Sequence, residues 1–391
     1  MADTMAAVRD ALIIGGGPAG LYAATRLAAA GFHATVLEEH QSVGEPVHCT
    51  GVLADEAFEE FDLSRDAVLN ELTTARFWSP AGHEVTYSAK QREAVVIDRR
   101  LFDQQLLDSA CAAGAEVRRD ARVIGIDIGR NGVTVSTSSE KLYARVCVLA
   151  CGANYSLHRQ VGLKMPRLFL NTAQVELPAR AIGDVELHFG SQIAPKGFGW
   201  VVPVDRRGQY SARIGVMCRQ DTRRFFDRLV DRVMPRWLVD RGTVVPRQKI
   251  LPLGPISRTY GDRLLAIGDA AGLVKPTTGG GIYYSLLSAT FAAQVLAGAL
   301  ESGQVMAAHL ARYERMWRER LSKEFDAQLT LRQVAHGMDD ADIEQLFDLA
   351  RTDGVMPIVR RTASFNKHRK LILALLKHPP VRQILLRQLA F

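Results

Sequence analysis

Three groups of residues in this chain have spacings that suit chemistry: a glycine turn at 15–20, an acid at 38, and a second glycine-rich stretch with one carboxylate at 268–281. Gly15-Gly16-Gly17-Pro18-Ala19-Gly20 spells G-x-G-x-x-G, and Glu38 follows Gly15 by 23 residues. In such a turn Gly15 permits the tight bend, Gly17 lets a pyrophosphate approach the backbone, and Gly20 lets helix and strand pack closely. The free N–H groups at the helix start would meet the phosphates. An acid at the distance of Glu38 holds an adenosine ribose through its hydroxyls. This is dinucleotide-binding chemistry, and the turn alone leaves NAD and FAD both open.

The elements needed to position these groups follow in order. Residues 11–14 read as a short buried strand, Leu21, Ala24, Leu27 and Ala28 recur at helical spacing, and residues 34–37 read as a second strand. Far downstream, 264–267 form another short apolar run that ends in Gly268-Asp269. A carboxylate there can accept hydrogen bonds from a ribityl chain, which NAD lacks. Gly279, Gly280 and Gly281 then lead into a long apolar helix whose N-terminal dipole favours the negative charge of a reduced flavin. The two motifs together point to FAD.

At these residues the chain resembles the geranylgeranyl reductases, FAD enzymes with the p-hydroxybenzoate hydroxylase type of fold. Five motifs carry the resemblance, which runs from residue 11 to about 299: the glycine turn; Pro46-Val-His-Cys49-Thr50-Gly51; Asp98-Arg99-Arg-Leu-Phe102-Asp103; Phe198-Gly-Trp200-Val-Val-Pro203; and Gly268-Asp269 with Pro276-Thr-Thr-Gly-Gly-Gly281. The resemblance implies FAD contacts at Gly15, Gly17, Ala19, Gly20, Glu38, Glu39, Cys49, Thr50, Val52, Arg99, Val123, Asp269, Gly281 and Ile282. It implies a substrate wall at Phe198, Trp200 and Pro203, with Gly279 and Gly280 letting the substrate chain pass close to the ring. The family's Y-x-W-x-F-P stands here as Phe198-x-Trp200-x-Val202-Pro203, a following Lys is Val204, and an Asp-Gly pair is Ala153-Asn154. These departures touch the substrate wall more than the fold.

The activity implied is hydrogenation of isolated carbon–carbon double bonds in a polyprenyl chain on a lipid or a diphosphate. That reaction needs hydride at one carbon, a proton at the other, and a dry tunnel that orients both faces of the alkene. No His/Asp or Ser/His pair presents itself, so the proton donor expected is Cys49 or a bound water. A second reading is a flavin monooxygenase or halogenase of the same fold, whose W-x-W-x-I-P resembles the Phe198–Pro203 motif. A third is a non-catalytic lipid-binding or redox-sensing flavoprotein. With no second G-x-G-x-x-G, electrons would come from a transiently bound NAD(P)H or from a carrier protein such as reduced ferredoxin.

Composition fits this frame. At 391 residues, 47% hydrophobic and 23% charged, the chain suits a large globular core, and its five cysteines show neither metal spacing nor a disulfide framework. Asp3, Arg9 and Asp10 break up the start, so no signal peptide is read and a cytoplasmic address is expected. The uncharged run 276–300 is long enough to span a membrane, but its glycines, Ser285, Ser288, Thr290 and Gln294 favour a buried helix. Residues 356–391 carry eight Lys or Arg and no acid, interleaved with leucines such as Leu371, Leu375, Leu386 and Leu389. They read as two short basic amphipathic helices broken at Pro379-Pro380, suited to peripheral contact with the anionic inner face of a membrane or to capping the core. Nucleic acid finds no recognised module.

The fold expected is α/β (α+β): a Rossmann-like FAD-binding domain, a second, mostly antiparallel β-sheet substrate domain, and a C-terminal helical segment. The FAD-binding domain is assigned to 1–60, 98–163 and 251–300, the substrate domain to 61–97 and 164–250, and the helical region to 301–391.

Overall fold

A computed structural model describes residues 9–240, 245–352 and 354–387. Arg9–Ile14 is an inner strand of an eight-stranded sheet, with Ala11, Leu12 and Ile13 wholly removed from solvent, as a strand covered on both faces requires. It pairs in parallel with Ala34–Leu37 on one side and Lys141–Leu149 on the other. The parallel order continues outward to Glu116–Arg118 and to Leu264–Ala266. Three distant stretches of sequence therefore share one sheet. The strands Val123–Ile128 and Val133–Thr137 pair antiparallel about the turn that Arg130-Asn131-Gly132 predicts.

Helix Pro18–Ala29 packs against both Arg99–Ala112 and Ile282–Glu301. Arg99–Ala112 starts under Asp98, whose carboxylate accepts the N–H groups of Arg100 and Leu101 at 3.0 and 3.1 Å. Ile282–Glu301 is apolar enough to cross a bilayer, yet 72% of its apolar window is buried inside the fold, so it serves as a core helix.

A second sheet of seven strands runs in the order Arg247–Pro252, Phe169–Pro178, Gln209–Cys218, Phe198–Arg206, Val185–His188, Thr74–Trp78, Glu84–Ser88. All its pairings are antiparallel except Val185–His188 with Thr74–Trp78. Period-two alternation splits its faces. Val201, Ile214 and Val216 meet Phe226, Leu229 and Val233 of helix Thr222–Trp237. On the other face Trp200, Val202 and Val204 meet Val52, Leu69, Leu72 and Val96 of a small sheet built from Val52–Ala54, Ala94–Ile97 and Val68–Leu72.

After Glu301 the described chain is helical: Ala307–Gly337, Asp340–Thr352, Val355–Thr362, Arg369–Leu376 and Pro379–Arg387. The last two are the expected pair separated at Pro379-Pro380, and Val355–Thr362 adds a third. Part of their apolar surface is covered: Val355, Val359, Leu375, Leu376, Val381 and Leu385 cluster with Val334, Met338, Ile343 and Leu346, while Leu373 is exposed. All eight bases are exposed. Leu389 and the side chain of Leu386 lie outside the described residues.

Candidate active site

The glycine turn has the geometry its sequence demands. Gly15 sits at φ +108°, and a Cβ there would lie 2.4 Å from the carbonyl oxygen of Ala150. A Cβ on Gly20 would lie 2.0 Å from the carbonyl oxygen of Gly15, so helix and strand touch through hydrogen alone. Around Gly17 the space is open to at least 4 Å, and helix Pro18–Ala29 starts there with no side chain capping its N–H groups. Free donors beside an open, Cβ-less approach fit the pyrophosphate of a dinucleotide.

Glu38 is buried and held in place. Its Oε2 accepts the Gly16 N–H at 2.7 Å, while Oε1 accepts the backbone N–H of His40 at 2.9 Å and meets His40 Nδ1 at 2.6 Å. A carboxylate offers about four lone-pair sites, so one stays open toward a ribose hydroxyl. Glu39 is exposed and pairs with Arg122 at 3.6 Å, next to half-buried Val123.

Asp269 is brought to the same crevice by Leu264–Ala266, which runs parallel to Arg9–Ile14 two strands away, so Gly15 and Gly268 follow the same carboxyl edge of the sheet. Gly268 packs so closely that a Cβ on it would be 3.1 Å from Cβ of Ala19, and its N–H donates to Ser288 Oγ at 3.0 Å. Asp269 Oδ1 lies 2.8 Å from where a Cβ on Gly281 would stand, next to Ile282 at the start of the core helix. Burial pushes the Asp269 carboxyl up, against the opposing pull of Arg99 and Lys249. A half-buried carboxyl that has no salt-bridge partner at contact distance among the described residues suits a hydroxyl-bearing ligand.

Arg99 forks onto Asp103 at 2.9 and 3.0 Å one helical turn on. Burial works against its charge, but Asp103 and then Cys49 hold the guanidinium firmly protonated. Cys49 is half-buried and its Sγ accepts the Gly51 N–H at 3.3 Å. Thr50 Oγ1 donates to Gln174 Oε1 at 2.5 Å.

The apolar wall is contiguous with the glycine stretch. A Cβ on Gly279 would meet Leu251 at 2.6 Å and Met217 at 3.3 Å, and both belong to the cluster containing Trp200, Val202, Leu170 and Leu253. The Trp200 ring occupies the space a side chain at Gly215 would need, at 2.3 Å, and Phe198 sits edge-on to it at 6.0 Å. Pro203 is buried with its carbonyl accepting from Asn70 Nδ2 at 3.3 Å. A Cβ on Gly280 would instead lie 3.6 Å from Cδ, Cε and Nζ of Lys275.

Sequence reasoning missed Arg213 and Tyr155. Arg213 is buried, donating through Nη1 to the carbonyls of Thr50 and Ile97 at 2.7 and 2.9 Å and pairing with Glu176 at 2.9 Å. Its signal was a lone charge in the otherwise uncharged run Ser211-Ala-Arg-Ile-Gly-Val-Met-Cys218. Tyr155 donates its hydroxyl to the Asp269 carbonyl at 2.7 Å, a tie across 114 positions that no local pattern announces.

The comparisons with known proteins bear on this geometry. Digeranylgeranylglycerophospholipid reductase 2 of Methanothermobacter thermautotrophicus is 30% identical over 358 residues, covering 86% of this chain and 90% of that protein. The chain belongs to the geranylgeranyl reductase family. Digeranylgeranylglycerophospholipid reductase of Methanocaldococcus jannaschii is 29% identical, with 87% of this chain and 90% of that protein covered. The chain also belongs with the family described as lycopene cyclase protein, whose model matches residues 10–348. Among solved structures, a geranylgeranyl bacteriochlorophyll reductase-like protein from Thermoplasma acidophilum superposes with a TM-score of 0.83 at 23% identity, over 97% of this chain and 99% of that one. Halogenase PltM in complex with phloroglucinol and FAD superposes at 0.69 and 18% identity, over 97% and 85%. These neighbours share the FAD-binding fold, as expected from the glycine turn and Gly268-Asp269.

Proposed function

We propose that this protein is an FAD-dependent reductase that saturates carbon–carbon double bonds of a polyprenyl chain carried on a lipid or a diphosphate. The observation that carries the reading is the junction at Gly279, where the glycine stretch beside Asp269 abuts the buried apolar cluster of Trp200, Met217 and Leu251. An uncharged wall at that point suits an isoprenoid and excludes water. The names of the related reductases support the same substrate class.

On this reading segments 1–60, 98–163 and 251–300 hold FAD and segments 61–97 and 164–250 shape the substrate wall. Gly15, Gly17, Ala19 and Gly20 admit the pyrophosphate, Glu38 and Glu39 border the ribose, and Asp269 takes the ribityl hydroxyls. Cys49, Thr50, Val52, Arg99, Val123, Gly281 and Ile282 complete the contacts. When bound, the flavin supplies the hydride. Phe198, Trp200 and Pro203 hold the alkene, Gly279 and Gly280 leave room for it, and Cys49 or a water beside it delivers the proton. Electrons come from NAD(P)H or reduced ferredoxin. The eight exposed bases of the C-terminal helices favour peripheral attachment to an anionic membrane, with the charge rather than the leucines making contact.

Anaerobic titration tests the reading. Flavin reduced with dithionite should reoxidise when a digeranylgeranyl lipid is added and stay reduced with its saturated counterpart. Reoxidation that requires oxygen would instead mark a monooxygenase.

A further inference from the structure

A cavity of about 830 Å³ opens beside Cys49, and its wall mixes apolar residues such as Pro46, Val47 and Val245 with charged and polar ones that the wall at Trp200 lacks. His48, Gln174, Glu176, Arg213 and Arg247 line it, with Cys49 among them. A space of this size accommodates a whole small ligand or cofactor. Cys49, one of the assigned FAD contacts, stands on that wall while Gly17, Arg99, Asp269 and Gly281 do not, so the cavity adjoins the crevice assigned to FAD and shares Cys49 with it.

The charges on the wall are unevenly satisfied. Glu176 is held by Arg213 at 2.9 Å, by Arg206 and by Ser211 at 2.6 Å, and Glu45 at the rim pairs with Arg100 at 3.0 Å. Both acids are thus compensated from within the protein. Arg247, which lines the cavity, and Lys249, which stands outside that lining, are both exposed, and among the described residues neither has a carboxylate at ion-pair distance; Arg247 spends one N–H on the Val47 carbonyl at 3.1 Å. They stand two apart on the edge strand Arg247–Pro252 and so share a face. Their cross-strand partners are Gln174 and Thr172. Gln174 bonds Thr50 at 2.5 Å and Thr172 meets His48 at 3.4 Å, which turns this face toward the Cys49 segment. Burial and then the two cations keep the His48 imidazole neutral, with its pKa near 4, so it serves as a hydrogen-bonding group.

We propose that this cavity is a second binding site, in which Arg247 holds the phosphate ester or diphosphate of a ligand whose reacting end reaches Cys49. Two ligands of the reaction carry such groups: a nicotinamide dinucleotide that reduces the flavin, and the phosphate-bearing head of the prenyl substrate. The proposal rests on the reading of Cys49 as a flavin neighbour, and it deepens that reading by giving the electron donor or the lipid head a seat.

The test uses the FAD-loaded full chain, with binding of NADPH and of geranylgeranyl diphosphate followed separately by titration calorimetry. Arg247→Gln should weaken one of the two by at least tenfold with unchanged FAD content, and the ligand affected identifies the source. Arg247→Lys, which keeps the charge, should retain most of the affinity, and inorganic phosphate should compete. Unchanged affinity for both ligands, or failure of both to bind the wild type, would overturn the proposal. So would loss of FAD on neutralising Arg247, since the cavity would then belong to the flavin. Failure of the flavin reading shows itself elsewhere, as a bound-flavin absorbance spectrum unchanged in Cys49→Ala.

Discussion

The Lys275 ammonium donates to the Phe365 carbonyl at 2.9 Å and lies 4.2 Å from the centroid of the Phe365 ring, with the residue only 2% exposed. This contact ties the glycine stretch to the chain just ahead of the basic helices. His368 adds a second tie, meeting Thr277 Oγ1 at 2.7 Å. Burial pushes the Lys275 amine down to about 7, against the attraction of Glu56 and Glu324.

A pH-dependent stability follows. Between pH 7 and the ordinary value of 10.5 the unfolded chain binds a proton that the folded chain does not, so stability rises with pH across that window. The cost of the buried charge is full below pH 7. Lys275→Met should therefore gain most over wild type at pH 6, and the gain should shrink by up to roughly 5 kcal/mol toward pH 10.5. Urea unfolding of both proteins at pH 6 and pH 10 checks this, and an equal difference at the two pH values would contradict it.

Asp269 is expected to hold the ribityl chain. Asp269→Ala should fold, because the Asp269 carbonyl that Tyr155 uses is retained, but its affinity for FAD should drop roughly ten- to hundredfold, the worth of a hydrogen bond to a charged group. The flavin-to-protein absorbance ratio after gel filtration measures this. Full occupancy would remove the carboxylate from the set of cofactor ligands.

Trp200→Ala should raise KM or lower kcat for a long prenyl substrate while FAD content holds, because Trp200 belongs to the seven-stranded sheet and not to the glycine turn. Loss of so large a buried ring should also cost about 3–5 kcal/mol of stability, so turnover is compared well below the melting temperature. Normal kinetics with a geranylgeranyl substrate would show that the wall lies elsewhere.

What was legible in the sequence was local. The glycine turn, the strand before it and the Arg130-Asn131-Gly132 turn follow from periodicity and from backbone conformations that glycine tolerates. Partner choice was not legible: the parallel pairing of Val185–His188 with Thr74–Trp78 joins segments over 100 positions apart, and nothing in either strand names the other. Lys275 gave no sign of burial, since its Phe365 partner arrives from 90 residues away. The C-terminal leucines read equally as a membrane face or a core face. Leu375, Leu376 and Leu385 pack against Val334, Met338 and Leu346 as a core face, while Leu373 stays exposed and so do the bases.

Those bases carry the prediction about membranes. Replacing Lys367, Arg369, Lys370 and Lys377 by Gln should weaken sedimentation with anionic vesicles at low salt, each base being worth about 1 kcal/mol near such a surface. Binding of the wild type should fall as salt screens the attraction. FAD content and turnover of detergent-solubilised substrate should change little. Equal sedimentation of the two proteins would leave the segment as a cap of the core alone.

Mass spectrometry of the lipid reads the reaction itself. Digeranylgeranyl glycerophospholipid incubated without oxygen with dithionite-reduced protein should gain two hydrogens for each double bond saturated, and Trp200→Ala should slow that gain. An unchanged lipid, or one that gains oxygen or halogen once air and halide are admitted, would contradict the account.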